Sequence, residues 1–295
     1  MSKMTEQSLF VLDLGGSAVK YSVWYQEELH EKGKFKTPKT FTSFLEKVVG
    51  IKERLAKKYN LVGCACSLPG TVNVEEKIIE GTSAIKYIHQ ETFIESLESC
   101  LGLPIRLEND ANCAALAEVS LGAAKGKKDV LVLVLGSGIG GAIIKHGRLE
   151  KGYHLVGGEF GYMLLNEEQN FSQLSSPVAL AKRVSERKGY SCDKMTSREV
   201  FDLADKNDPI AFEEVEKMFH FLAIGLYNLQ MSIDPEIILI GGAISKRSDL
   251  LQRINAKFET LFLGKKQIGI RPNIAICQFE NDANLIGAVV NYHIG

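Results

Sequence analysis

Twice in this chain an apolar run breaks into a glycine cluster and then resumes. The first run, Leu9 to Leu12, ends in Asp13 and passes through DLGGSAVK into residues 18–24. The second, residues 130–135, passes through GSGIGG (Gly136 to Gly141) into residues 142–145. Two apolar runs joined by a short glycine segment predict a hairpin. Glycine turns leave backbone N–H groups uncovered, which suits them to phosphate oxygens. Four glycines in six positions exceed what a hairpin needs. Phosphate contact is therefore the expected role of Gly136, Ser137, Gly138, Gly140 and Gly141, and by the same logic of Gly15, Gly16 and Ser17. Asp13 closes a buried strand just ahead of its turn, where a carboxylate can reach a Mg²⁺ shell through water. Its plainer role is to accept backbone N–H bonds in the turn. Lys20 is a candidate phosphate cation or, more plainly, a strand residue. GSGIGG also fits G-x-G-x-x-G, but a dinucleotide fingerprint needs a helix right after the glycines. Ala142, Ile143 and Ile144 favour a strand, so that reading fails on context.

The rest of the chain alternates strands with helices. Helical spacing predicts helices over residues 41–60, 92–101 and 111–121, with strands at 61–67 and 104–107. Residues 147–176 read as glycine-rich and irregular. Helices follow at 177–188, 197–204, 209–231 and 248–263, a strand at 237–240 runs into Gly241 and Gly242, and a last helix covers 284–292. Such alternation specifies an α/β protein, with the two glycine hairpins as a weak internal repeat. At 295 residues, two domains are expected. The expected division is a lobe of residues 1–121, with a C-terminal helix at 282–295 packing back on it, and a larger lobe of 122–281. The hinge falls near LGAAKGKK.

Charge and cysteine usage narrow the function. Lys and Arg number 35 and Asp and Glu 36, giving a net charge of −1. A nucleic-acid or anionic-membrane surface would announce itself as a basic excess. No apolar run approaches a bilayer span, and the polar start, MSKMTEQS, lacks a signal-peptide core. The cytoplasm is the expected compartment. The six cysteines lack metal-finger spacing and read as reduced, mostly buried thiols. Cys64 and Cys66 are expected to face opposite sides of their strand.

The stretch ENDAN, Glu108 to Asn112, lies between a strand and a helix, where α/β proteins present residues to a ligand. Asp110 could cap the helix. Glu108 and Asn109 would be redundant for capping. A hydroxyl that is to attack needs a base within hydrogen-bond reach, a post that Asp110 fits, with Asn109 orienting a neighbouring hydroxyl.

DLGGSAVK, the Leu68–Pro69–Gly70 turn, ENDANCAALAE, VLGSGIGGAII, GGEFGY and DPEIILIGGAIS, in this order, resemble the ROK family of bacterial sugar kinases and related repressors. The resemblance runs from about Phe10 to Ala288. It implies an actin/hexokinase-like (ribonuclease H-like) ATPase fold of two α/β lobes with a cleft between them. It implies Asp110 as general base, with Gly70, Asn109 and Glu159 contacting sugar. The segment from Asp13 to Ser17 and that from Gly136 to Gly141 would hold the ATP phosphates, with Gly241 and Gly242 near the adenosine. ATP and Mg²⁺ are the implied cofactors, and a homodimer is the family expectation.

The chain also departs from that pattern. Many members carry G-E-x-G-H followed by a Cys-rich, zinc-binding loop. Here the His position is Tyr162, and NEEQNFSQLSS contains no Cys, so no zinc is expected. The loop's usual sugar-binding Glu is replaced, with Ser172 at its position and Gln173 beside it. These changes disfavour free glucose and suit a substituted anomeric oxygen, with Tyr162 stacking on a second ring. The expectation is therefore an ATP-dependent kinase acting on the 6-hydroxyl, leaning to a β-glucoside. The rivals are a glucokinase, an N-acetylmannosamine kinase and a fructokinase, with Tyr162 and Gln173 supplying replacement hydrogen bonds to a monosaccharide. From other classes come a non-catalytic sugar sensor and a DNA-binding repressor. The repressor is disfavoured because the first hairpin begins about eight residues from Met1.

Overall fold

The computed structural model describes residues 7–262 and 270–294. Residues 1–6, and Leu263 at the end of the expected 248–263 helix, lie outside them. The chain divides into two compact units. One comprises the chain through Leu121, the segment Gly152–Val156, and the residues from Asn281 onward. The other comprises Gly122–Lys151 and Gly157–Glu280.

The first unit is built on β1 (Gln7–Leu14), β2 (Ala18–Tyr25), β3 (Glu28–Lys36), β4 (Asn60–Leu68) and β7 (Ile105–Asn109), with α1 (Phe41–Ala56), α2 (Phe93–Leu101) and α3 (Asp110–Ser120). A small hairpin, β5 (Thr71–Asn73) and β6 (Ile78–Glu80), follows β4. The sheet order is β3-β2-β1-β4-β7, with β1, β4 and β7 parallel and β2 and β3 antiparallel. Alternation along β1 sends Phe10, Leu12 and Leu14 into one core with Phe44, Val48 and Leu97. It sends Leu9 and Val11 into another, with Leu285, Ala288 and Val289 of the C-terminal helix Ala283–Ile294. That helix packs on α3 so closely that a Cβ on Gly287 would fall inside the carbonyl of Cys113. Cys64 and Cys66 point into the same core, their sulfurs 3.5 Å apart. The expectation of opposite faces was mistaken, because strand residues two apart share a face.

The second unit repeats this topology. Its sheet runs β10-β9-β8-β11-β12, from β8 (Val130–Leu135), β9 (Ile139–Lys145), β10 (Arg148–Glu150), β11 (Ile237–Gly241) and β12 (Ile274–Ile276). Here β8, β11 and β12 are parallel and β9 and β10 antiparallel. The helices are α4 (Phe171–Ser175), α5 (Pro177–Arg187), α6 (Ser197–Asp205), α7 (Pro209–Ile233) and α8 (Leu250–Phe262). Their starts are written locally. Ser176 and Asp208 cap helices that begin with proline, and Thr196 and Glu199 form a capping box. The 25-residue α7 buries Val215, Met218, Phe219, Leu222 and Leu226 in the unit's core.

Candidate active site

Three parallel strands bring the chemistry of the first unit to one edge. Register places Asp13 beside Ser67, and Ser67 beside Glu108. The segments that leave these strands are the Gly15–Gly16–Ser17 turn, Pro69–Gly70, and Asn109–Asp110. Asp13 is 5% exposed. Its Oδ1 accepts from Ser67 Oγ and from Asn284 Nδ2, each at 3.1 Å. Its Oδ2 accepts from Lys20 Nζ at 3.1 Å. Lys20 is the cross-strand partner of Asp13 and also donates to the carbonyl of Asn281. In this structure the Lys20 ammonium is therefore on a carboxylate, not standing clear for a phosphate.

The cap of α3 is Asn109, not Asp110. Asn109 Oδ1 accepts from the backbone N–H groups of Ala111 and Asn112, and its Nδ2 donates to the Gly70 carbonyl at 3.0 Å. Asn109 thus ties the helix start to the Gly70 turn. Asp110 is the first residue of the helix, and its Oδ1 shares the Ala111 N–H with Asn109, accepting at 2.8 Å. A helix N-terminus favours negative charge. Glu108, buried, accepts from Asn109 N and Asn112 Nδ2. Gly70 has φ +101°, which an L side chain resists, and a Cβ there would press on Ile79, Glu80 and His89.

In the second unit the turn is shorter than the sequence suggested. Gly136, Ser137 and Gly138 form it, while Gly140 and Gly141 pair within β9 with Val134 and Leu133. The glycine count is explained in part by packing, since a Cβ on Gly141 would run into the ring of Phe160 and the carbonyl of Gly158. Gly136 differs. Its φ is not positive, and nothing lies within 4 Å of where its Cβ would be. Its missing side chain is demanded neither by backbone nor by protein neighbours. Gly242, at φ +90°, packs on Leu135, the residue before this turn, and Gly241 packs on Cys277. Glu159 precedes the 3₁₀ turn Phe160–Tyr162. It has accessible surface, yet its carboxyl is crowded enough that desolvation pushes it above the usual carboxylate range. Tyr162 is 76% exposed. Ser172 Oγ is taken by Ile139 N–H, and Gln173 and Asn170 cap α4 reciprocally.

Among the described residues no group of three or more His, Cys, Asp or Glu could hold a metal ion. Three of the four or so lone-pair positions of Asp13 are occupied by protein donors, leaving room for one water-mediated contact to a phosphate-bound Mg²⁺.

A profile of the ROK family matches residues 9–293. The chain belongs to the ROK family. The ROK protein of Streptococcus pneumoniae, solved in complex with sucrose, superposes with a TM-score of 0.86 at 35% identity, covering 96% of this chain and 98% of its own. The β-glucoside kinase of Listeria monocytogenes is 32% identical over 250 residues, covering 82% of this chain and 83% of its own. The glucokinase of Halalkalibacterium halodurans is 31% identical over 252 residues, covering 78% and 76%. This ROK protein has the actin/hexokinase-like α/β fold of its relatives and is a sugar phosphotransferase.

One signal went unread in the sequence. The pentapeptide ENDAN occurs twice, at residues 108–112 and 280–284, each time opening a helix. The first carries Asp110. The second carries Asn284, which reaches Asp13.

Proposed function

We propose that this ROK kinase transfers the γ-phosphoryl group of ATP to the 6-hydroxyl of a glucose unit whose anomeric oxygen is substituted, as in a β-glucoside. The observation that carries the substrate reading is the state of the loop after Glu159. Tyr162 is left exposed, while Ser172 and Gln173 are committed to internal hydrogen bonds. A monosaccharide reading asked Gln173 to replace a lost sugar ligand, and its Oε1 is engaged at the start of α4 instead, which leaves that role to its Nε2 donors alone. An exposed tyrosine ring suits stacking on a second sugar or an aglycone. The sucrose bound to the S. pneumoniae protein and the β-glucoside kinase relative support a substituted anomeric oxygen.

The proposed chemistry is positioning plus electrostatics. Asp110, at the first position of α3, takes the proton of the attacking hydroxyl. Asn109 holds the Gly70 turn that lies against the sugar, and Glu159 accepts from sugar hydroxyls. The Gly15–Ser17 and Gly136–Gly138 turns offer N–H groups to the phosphates, and the open space at Gly136 admits a close approach. Asp13 would hold Mg²⁺ through water, which when bound supplies neutralisation of phosphate charge. The reaction site is read as cytoplasmic and the partners as sugar and ATP, with a second copy of the chain as the family expectation.

The test is a coupled ADP-release assay across glucose, cellobiose, gentiobiose, N-acetylmannosamine and fructose. The expected result is the highest kcat/KM for the β-linked disaccharides. Fast turnover of glucose with inert cellobiose would return the chain to the glucokinases. ATP turnover unaffected by any sugar would favour the sensor.

A further inference from the structure

We propose that Asn284 is a positioning residue for Asp13, so that the second ENDAN segment sets the geometry of the nucleotide carboxylate. This rests on the reading of Asp13 as the residue that faces the Mg²⁺–nucleotide.

A carboxylate as buried as Asp13 takes its orientation from protein donors and not from water. Three donors hold it. Ser67 is fixed by the register of the neighbouring strand, and Lys20 belongs to the same hairpin. Asn284 alone arrives from the far end of the chain. It is the second residue of the C-terminal helix, and Leu285, Ala288 and Val289 anchor that helix in the core beneath β1. The main chain of that helix start is therefore rigid. The same segment restrains Lys20 through the carbonyl of Asn281 and Lys32 through Asp282.

The chemistry of the donor matters as much as its place. An ionised carboxylate only accepts, so the amide of Asn284 must present its NH₂ group. That group is neutral. It fixes the direction of the carboxylate without cancelling its charge, whereas Lys20 fixes and cancels together. Asn284 thus keeps Asp13 aimed while leaving its charge available to the water shell of a cation.

The experiment measures binding in the absence of turnover. Mg²⁺ with a non-hydrolysable ATP analogue is titrated calorimetrically without sugar, and cellobiose is titrated without nucleotide. Asn284→Ala is expected to weaken the nucleotide complex about tenfold, the scale of one hydrogen bond to a charged group, and to leave cellobiose affinity within about twofold of the parent. Asn284→Asp introduces an acid in the first turn of the C-terminal helix, within hydrogen-bond reach of Asp13. It sets like charges together and should lose more nucleotide affinity, with a lowered melting temperature. Against an Asp13→Asn background, Asn284→Ala should cost nothing further. Additive losses in that cycle, equal weakening of both ligands, or full nucleotide affinity in both Asn284 variants would overturn the proposal. If Asp13→Asn itself leaves nucleotide binding intact, the reading of Asp13 fails and takes the proposal with it. If Asp13→Asn weakens binding and Asn284→Asp does not, only the positioning role fails.

Discussion

Asn109 and Asp110 divide two tasks that either side chain has the chemistry to perform. Both residue types cap helices well, and the expectation that offered the cap to Asp110 and held Asn109 redundant for it was mistaken. Backbone geometry decides it. Asn109 has extended dihedrals and points its carbonyl oxygen at the helix, while Asp110 is already helical. The division gives the Asn112 N–H to Asn109 alone and leaves Asp110 with a share of the Ala111 N–H. Replacing Asp110 by Asn should retain sugar affinity within a few-fold, since the cap and the Gly70 tie persist. Turnover should fall on the order of 10³-fold, the scale of a lost general base. Single-turnover kinetics beside a sugar titration measures both, and near-normal turnover would remove Asp110 from the role. Gly141 makes the complementary point at the same scale. Its glycine looked like part of a phosphate loop, and it is needed because Phe160 packs where a side chain would go.

At the level of elements, strong apolar periodicity was legible and weak periodicity was not. Helices α5 to α8, the strand entering Gly241, and both glycine hairpins follow from spacing and caps in the chain itself, whereas β10 and the five-residue α4 fall in the stretch read as irregular. Strand β3 was missed because its sequence, ELHEKGKFK, is an edge strand with charged residues at most positions. The turn into it gave no warning either. Gln26 and Glu27 adopt φ of 50° and 63° without the Asn or Gly that normally marks such a hairpin. β12 is three residues long and recruits its order from β11. Within the site, residue types at strand ends were readable. Their hydrogen-bond commitments were not, because Asn284 and Asp13 are 271 positions apart. The start of α8 yields a prediction of its own. Arg247, with Arg253, holds the Asp249 carboxyl down to about 2, from an ordinary 3.8. A carboxyl lowered on folding contributes stability that is complete above its unfolded value and is lost as pH falls through the folded one. The difference in Tm between the parent and Asp249→Asn should therefore be constant from pH 7 to about 5 and shrink between about pH 4 and 2. A difference that stays flat down to pH 2 would mean that the arginines do not hold this carboxyl in solution.

For the molecule as a whole, the decisive feature is that the first unit is discontinuous. Its sheet comes from the chain through Leu121, and one face of that sheet is covered by the helix Ala283–Ile294. Deleting residues 283–295 would strip Leu285, Ala288 and Val289 from Leu9, Val11, Ala65 and Cys113. Losing two branched aliphatic side chains and an alanine from one core amounts to roughly 4 kcal/mol or more, comparable to the whole stability of a marginal domain. The truncated chain should lose cooperative unfolding of its first unit, seen as a missing transition in calorimetry. A shortening that begins at the exposed Ile294 should leave both transitions in place.

A ribosome making this protein therefore releases most of one sheet early and must finish the entire second unit before the helix that shields it can emerge. Leu9, Val11 and Ala65 spend that interval without their lid, an apolar strip beside parallel strands. Growth temperature and chaperone supply, which leave the finished enzyme untouched, would bear on how much of it is ever finished.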